Sequence, residues 1–492
     1  MKRLKILVVC LMVAALPKNS FAKEIPMKQI RSYMSWSAPV DPAKIITIAD
    51  MDLSYSLAST LVERDENKQF RKGLADRWEI IGDRTFRFTL RDGLKWSDGA
   101  LLKCEDVKSS LERGMKEYPD ELRSLSNMLS TITCNDNHID FLLKVPAKES
   151  NLLGKLTEPN YGVVKIDHDG VLLLSASTGP FFVANETPAE IKLLKNKNWF
   201  SSTDDMADEV ILRKFKNNMN PQLVLKDDSW ANLTEASSLM DDSLLANYKQ
   251  SGFAVWTRPI DKVYLMRMSK RLENNTGHEL FKYLRQTLSR ETILQGLSGY
   301  SLGEQMFPVG YQLHDPDFPK EVTKATLPAE FKKRPLEILF SRARNSKTFE
   351  DNLSKAVKQA VGLAPKFIDC DLSDQTNKIL EGNFDIVIGT MGLADPDPEG
   401  VLSYYIENSP PVIPKSDGVF LKRLDQARHQ PDLIKRVIEF RKILTDATVR
   451  GYVIPLFHLS TVGIGRSELD LSQIPQSEES VTLSKVRFKS VK

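Results

Sequence analysis

From residue 336 to residue 389 the hydrophobic pattern switches repeatedly between two periods, which sharply restricts the folds open to this chain. Leu336 to Phe340 is a short apolar run of strand length. Phe349 to Leu363 puts Leu353, Val357, Ala360 and Val361 on one helical stripe. Pro365 to Asp369 reads as a strand, Leu372 to Leu380 as a helix and Phe384 to Gly389 as a strand. A strand–helix–strand–helix–strand order predicts an α/β unit with a parallel sheet and right-handed crossovers. Ligands approach such sheets at the carboxyl ends of the strands. The stretch after the last strand, Thr390 to Pro398, is such an end and carries Asp395 and Asp397.

A second unit is legible nearer the N-terminus. Thr85 to Leu90 alternates strictly, with Phe86, Phe88 and Leu90 on one face, and follows Trp78 to Ile81 across a Gly82-Asp83 turn. That pattern predicts a half-buried antiparallel hairpin. Glu105 to Lys116 reads as a helix and Ile139 to Val145 as a further strand, so residues 61–168 form a compact α/β unit. Strands are expected at Val171 to Leu174 and Glu190 to Leu194. Helices are expected at Leu280 to Leu297 and Leu433 to Leu444, and a late strand at Val453 to Phe457.

The first 22 residues stand apart. Lys2, Arg3 and Lys5 precede the apolar run Ile6 to Leu16, which is too short to span a bilayer, and Ser20-Phe21-Ala22 supplies a small-x-small cleavage pattern. The expectation is a secretory signal peptide cut after Ala22 and an exported protein. Of 68 basic residues this removes four, leaving 64 against 65 acidic ones. No basic stripe with interleaved aromatics remains, which argues against nucleic acid as a partner. Cys104, Cys134 and Cys370 remain after cleavage. An odd count allows one disulfide and one free thiol, or three unpaired thiols. Cys104 and Cys134 lie in the same unit and are the pair a disulfide would join. No metal-ligand spacing occurs, and no cofactor is called for.

Gly299-Tyr300-Ser301-Leu302-Gly303 spells G-x-S-x-G, the nucleophile-elbow pattern of serine hydrolases. Asp395 and His458 follow in the order such a triad requires. The elbow needs a strand before it and a helix after it. Here the helical pattern Leu280 to Leu297 precedes it and Pro308 and Gly310 follow, so Ser301 is expected in a loop. A secreted serine hydrolase using Ser301, Asp395 and His458 is the reading that this order offers.

Several segments, in order, resemble one family. Val40-Asp41-Pro42-Ala43 resembles an early "LDP" segment, and Gly73 to Glu79 resembles "GLAESWE". "FRFTLRDGLKWSDGALLKCED", Phe86 to Asp106, is similar to the family's hairpin, turn and helix start. Thr178 to Phe181 resembles "GTGPY", and Ser289 to Ile293 resembles "AIDREAI". Phe384-Asp385-Ile386 through Pro398 resembles "YDL…GADYPDP", and Ile454 to His458 resembles "IPLYH". On these motifs the chain is identified as a member of the extracytoplasmic solute-binding proteins of bacterial ABC importers, oligopeptide/dipeptide-binding class (solute-binding family 5).

The resemblance implies a two-lobed, type II-like periplasmic binding fold with an inserted subdomain and a hinge. Residues 23–60, 169–260 and 460–492 would form lobe one, 61–168 the inserted subdomain and 261–459 lobe two, with crossings near Tyr264 and Ile454. It implies capture without catalysis: a small peptide or similar solute held between closing lobes and passed to ABC permease subunits by a monomer. Asp395 occupies the position of the family aspartate that holds a peptide's N-terminal ammonium, or it is simply an Asp-Pro turn residue. Thr47 lies where the family has a lobe-one contact, and Trp230, Tyr264 and His458 are further candidates for lining the cleft. Gly392 stands where peptide binders often carry tryptophan. Family members also bind nickel complexes, haem, sugars or opines, so the ligand stays open.

Overall fold

The computed structural model describes residues 27–489, except 35, 37–38, 46–47, 66–68, 118–124, 147–148, 216–222, 237–238, 259–261, 310, 312, 320–323, 343–344, 371–374, 393–416, 431 and 475–480. Asp395, Thr47 and the expected signal peptide therefore lie outside the described residues.

The unit expected at residues 336–389 is present. Glu337–Phe340, Lys366–Asp369 and Ile386–Gly392 are strands, and Glu337–Phe340 pairs in parallel with both of the others. Helices Lys347–Val361 and Gln375–Glu381 make the crossovers. The first is capped by Ser346, whose hydroxyl accepts from the Phe349 N–H, and it ends at Gly362 in the left-handed region that glycine reaches without strain. The sheet continues beyond this unit. Lys262–Met268 pairs antiparallel with Ile386–Gly392, Val453–Leu459 pairs with Lys262–Met268, and Tyr300–Leu302 closes the edge of six strands. Lys262–Met268 and Val453–Leu459 are buried along their whole lengths, as central strands of a helix-covered sheet are.

Two local expectations fail for identifiable reasons. The stripe from Leu280 to Leu297 is two helices, Asn275–Thr287 and Arg290–Leu294. Leu288 is extended, and Ser289 starts the second helix by accepting from the Thr292 N–H, so a capping serine interrupts an unbroken hydrophobic stripe. Ser301 is in a strand rather than a loop, because Tyr300–Leu302 pairs with Val453–Leu459 about 150 residues away, a partner no local pattern reveals.

Residues 61–163 hold their own apolar core under a four-stranded antiparallel sheet in the order Ala75–Ile81, Thr85–Leu90, His138–Leu143, Leu129–Asn135. Phe86, Phe88 and Leu90 face inward as the alternation requires, and Phe88 meets Phe141 edge to face at 5.2 Å. Helix Cys104–Glu117 covers this face, and a Cys104–Cys134 disulfide ties its first residue to the outer strand. The bridge closes a separation of 30 residues, for which chain-entropy bookkeeping gives about 3.5 kcal/mol. Reduction is expected to lower this unit's urea stability by roughly that amount, read by far-UV circular dichroism with and without dithiothreitol. An unchanged midpoint would refute a stabilising bridge. Cys370 is buried.

The remaining segments build a third body. Gln29–Tyr33 pairs in parallel with Glu209–Arg213, which continues antiparallel to Glu190–Lys195 and Phe181–Glu186. Leu233–Ala236, Val462–Gly465 and Ala254–Thr257 form a smaller sheet beside it. Two strand pairs cross from this body to the six-stranded sheet: Ala254–Thr257 leads into Lys262–Met268, and Val453–Leu459 leads into Val462–Gly465. At the crossing, the Arg258 N–H donates to the Thr461 carbonyl at 2.8 Å and Lys262 Nζ donates to Thr461 Oγ1 at 2.6 Å. A third tie comes from Met240–Asp241, paired with Leu297–Ser298.

Candidate ligand-binding site

Strand direction gathers several carboxyl ends at the crossing. The register sets Lys262 opposite both Gly392 and Leu459, so Ile386–Gly392 and Val453–Leu459 both finish there. Asp395 follows Gly392 by three residues. Lys262 is almost fully buried, an unusual place for an ammonium, and it is held by the Thr461 hydroxyl.

Tyr264, two residues along, is built into this end. Its ring stacks on Phe457 at 5.0 Å and meets Phe349 edge-on at 5.5 Å. Its hydroxyl donates to Asn345 Oδ1 at 2.6 Å, and Asn345 Nδ2 donates to the Ser341 carbonyl at 2.8 Å. Ser341 and Asn345 lie between the Glu337–Phe340 strand and the helix capped by Ser346, so this network also sits at a carboxyl end of the parallel sheet.

His458 is 2% exposed. Its Nε2 lies 3.0 Å from the Gln305 carbonyl, which only accepts, so Nε2 carries the proton. Burial lowers the imidazole's pKa and keeps it neutral. The ring fills the space where a Cβ of Gly303 would be, so glycine is required there by packing. Nδ1 has no hydrogen-bond partner among the described residues.

Ser301 pairs across the strands with His458, yet no side-chain hydrogen bond joins them: the Ser301 hydroxyl is 3.4 Å from the Leu302 carbonyl and His458 Nε2 is committed to Gln305. Ser301 sits mid-strand on a sheet edge, and the strand-to-helix turn of a nucleophile elbow is missing at this position.

Trp230 lies in the other body, half-buried, with the Arg213 guanidinium over its ring at 4.0 Å and Tyr33 edge-on at 5.0 Å. Arg213 Nε donates to Glu190 at 2.7 Å, and the Tyr33 hydroxyl donates to Asp228 at 2.6 Å. Burial and the Asp228 carboxylate push the Tyr33 phenol up to about 12. Tyr33 and Arg213 end the parallel pair Gln29–Tyr33 and Glu209–Arg213, so Trp230 marks the carboxyl ends of this body's sheet. The structure thus brings Tyr264 together with Asn345, two residues along the strand from Lys262, and Trp230 together with Tyr33, Arg213 and Asp228 in the other body; His458 sits opposite Val263 and packs against Gly303 and Gln305 instead. Sequence reasoning missed Tyr33, Arg213, Asp228, Lys262 and Asn345. Gln29 and Glu209 are 180 residues apart, so the first pairing leaves no local signal; a buried lysine opening an apolar strand was the one available hint.

Among the described residues one group could hold a metal, Asp167, His168 and Asp169. It lies on a largely exposed turn, where Asp167 Oδ1 already accepts the N–H groups of Asp169 and Val171.

Two bodies joined by crossing strands, with strand carboxyl ends meeting beside the crossing and a separate unit at residues 61–163, define the class: a two-lobed α/β fold with an additional subdomain. Comparison with known proteins gives the family. The profile of bacterial extracellular solute-binding proteins, family 5 Middle, matches residues 69–410, and the chain belongs to that family. The dipeptide-binding protein of Pseudoalteromonas sp. SM9913 in complex with Met-Leu superposes with a TM-score of 0.73 at 14% identity, covering 94% of this chain and 100% of that one. DppA of Helicobacter pylori with the peptide STSA gives 0.72 at 16% identity over 94% and 98%. NikA of Brucella suis with Fe(III)-EDTA gives 0.71 at 15% over 94% and 100%. In sequence, the periplasmic murein peptide-binding protein MppA of Escherichia coli is 28% identical over 112 residues, 21% of each protein. The nickel-binding protein NikA of Staphylococcus aureus is 23% identical over 269 residues, 53% of this chain and 51% of that protein. The chain thus matches between a fifth and about half of the length of these curated relatives. Among the described residues, no helix is long and apolar enough to cross a membrane.

Proposed function

We propose that this protein captures a small peptide between its two lobes and hands it to the permease of an ABC importer. The observation that carries the reading is the convergence of strand carboxyl ends at Lys262, Gly392 and Leu459, beside the crossings of a family 5 fold. Hinge closure over that place would bury a ligand and let main-chain groups hold its backbone. Asp395 would pair with the ligand's ammonium, an anion that closure desolvates and that needs a cation. Tyr264 would shape the wall from lobe two, with His458 packed behind it, and Thr47 and Trp230 would contribute from lobe one. Residues 23–60, 169–260 and 460–492 would move as lobe one against 261–459, and 61–168 would ride as the inserted subdomain. The protein would work as a monomer in the periplasm after cleavage at Ala22, without catalysing a reaction on what it carries.

A second ligand reading has one specific support. Gly392 replaces a bulky side chain beside the pairing residue, leaving room for a compact non-peptide solute such as a metal chelate. Titration of the mature protein with unmodified tripeptides, read by tryptophan fluorescence and calorimetry, separates the two. Saturable binding with a fluorescence change is expected. Saturation by a nickel chelate and none by peptides would overturn the peptide reading.

A further inference from the structure

Residues 239–241 alternate between the two bodies. Leu239 is buried in the apolar core that holds Tyr264, Phe349 and Leu297. Met240 is buried in the cluster that holds Tyr33 and Tyr248, with Trp230 packed against it. Met240 and Asp241 pair with Ser298 and Leu297, and the Asp242 N–H donates to the Gly296 carbonyl at 3.3 Å. The Asp241 carboxylate reaches the first turn of helix Lys347–Val361, where the Thr348 hydroxyl donates to Oδ2 at 3.3 Å. The helix dipole favours an anion beside that turn. Further along the same helix, Asn352 donates to the Ile293 and Gln295 carbonyls at 3.2 and 2.8 Å. The helix, the segment 293–298 and residues 240–241 therefore form a closed circuit of contacts.

The start of that helix also holds one wall of the candidate site. Asn345 accepts from the Tyr264 hydroxyl, Ser346 caps the helix and Phe349 meets the Tyr264 ring edge-on. Asp241 is poorly satisfied for a carboxylate: its Oδ1 is buried with no hydrogen-bond partner among the described residues, and its bond from Thr348 is long. A group in that state adds little to stability, and an unpaired buried polar atom calls for another role.

We propose that Asp241 is a positioning residue for ligand capture. From the body that carries Trp230 it fixes the first turn of helix Lys347–Val361, and through Asn345 and Phe349 it sets the place of Tyr264. Ligand affinity then depends on a side chain that need not touch the ligand. The inference rests on Tyr264 walling the cleft, as proposed above.

The test compares the mature wild type with Asp241→Ala, Thr348→Val and the double variant. Each is titrated calorimetrically with an unmodified tripeptide, its N-acetylated form and a nickel–histidine chelate. Asp241→Ala should weaken every ligand that saturates the wild type by about tenfold, with the two peptides affected alike. Thr348→Val should cost a similar factor, and the double variant no more, because both changes cut one link. The thermal midpoint of the unliganded protein should move by no more than about 2 °C. A purely structural residue would lower that midpoint and leave the affinity of the folded protein unchanged. The Phe349 and Glu350 amides, both bonded to Ser346, should exchange hydrogen at least about fivefold faster in unliganded Asp241→Ala. Unchanged affinity in either single variant, additive losses in the double variant, or unchanged exchange at those amides would overturn the assignment. Should Asp241→Ala fail to fold, Thr348→Val carries the same expectations. Tripeptides that saturate none of the proteins would sink peptide capture instead, and the chelate titration and the exchange rates would then decide Asp241.

Discussion

Asp385→Ala is expected to lower the stability of lobe two by about 3 kcal/mol. The Asp385 side chain is 0% exposed. Arg334 grips it with both terminal nitrogens, at 2.7 and 3.0 Å, and Arg271 Nε donates to it at 3.1 Å. The Glu337 N–H donates to the same carboxylate at 2.8 Å, which locks the start of one parallel strand to the start of its neighbour. Removing a buried carboxylate while its partners stay typically costs about 3–5 kcal/mol. Both arginines keep more than a third of their side-chain surface in water, so they rehydrate in part and the loss falls at the lower end. Urea unfolding followed by fluorescence should show the drop, with the disulfide-bridged unit holding to its own midpoint. A change below about 1 kcal/mol would mean that the clamp contributes no more than a surface ion pair. The aspartate of the "YDL"-like motif is therefore architectural: it closes the amino ends of two parallel strands, opposite their carboxyl ends.

Asp395→Ala is expected to weaken binding of an unmodified tripeptide by about a hundredfold, within the range for loss of one partner from a desolvated charge pair. The same change should alter binding of the N-acetylated tripeptide by no more than about threefold, because that ligand brings no ammonium to be stranded. The contrast isolates the role. A general distortion of the segment after Gly392 would reduce both ligands alike, and equal losses would remove Asp395 as the ammonium partner. Calorimetric titration of both ligands against both proteins supplies the four constants.

How much could be read in advance differs by element. The parallel unit at 336–389 and the hairpin at 85–90 were legible because their burial follows a local period: Phe86, Phe88 and Leu90 alternate inward, and Leu353, Val357 and Val361 fall on one stripe. The break at Leu288–Ser289 was hidden because hydrophobic spacing carried on while the backbone was recapped. The strand at Ser301 was hidden because it exists only through pairing with residues 457–459. Tyr264 and His458 could be named as candidates because each lies in an apolar strand segment that local pattern discloses. The site was illegible where the structure gathers distant strand ends, as with Tyr33, Arg213 and Asp228. His458 shows the limit of motif reading: its strand was expected, but its burial against Gly303 and Gln305 depends on a strand that local pattern did not disclose.

The central claim is capture of a peptide between the lobes. Mass spectrometry of small molecules released when the freshly purified, mature protein is denatured tests it most directly. Short peptides of mixed sequence, in amounts approaching one per protein molecule, are the predicted result. Release of a metal chelate or a sugar in that amount, with no peptide present, would contradict it.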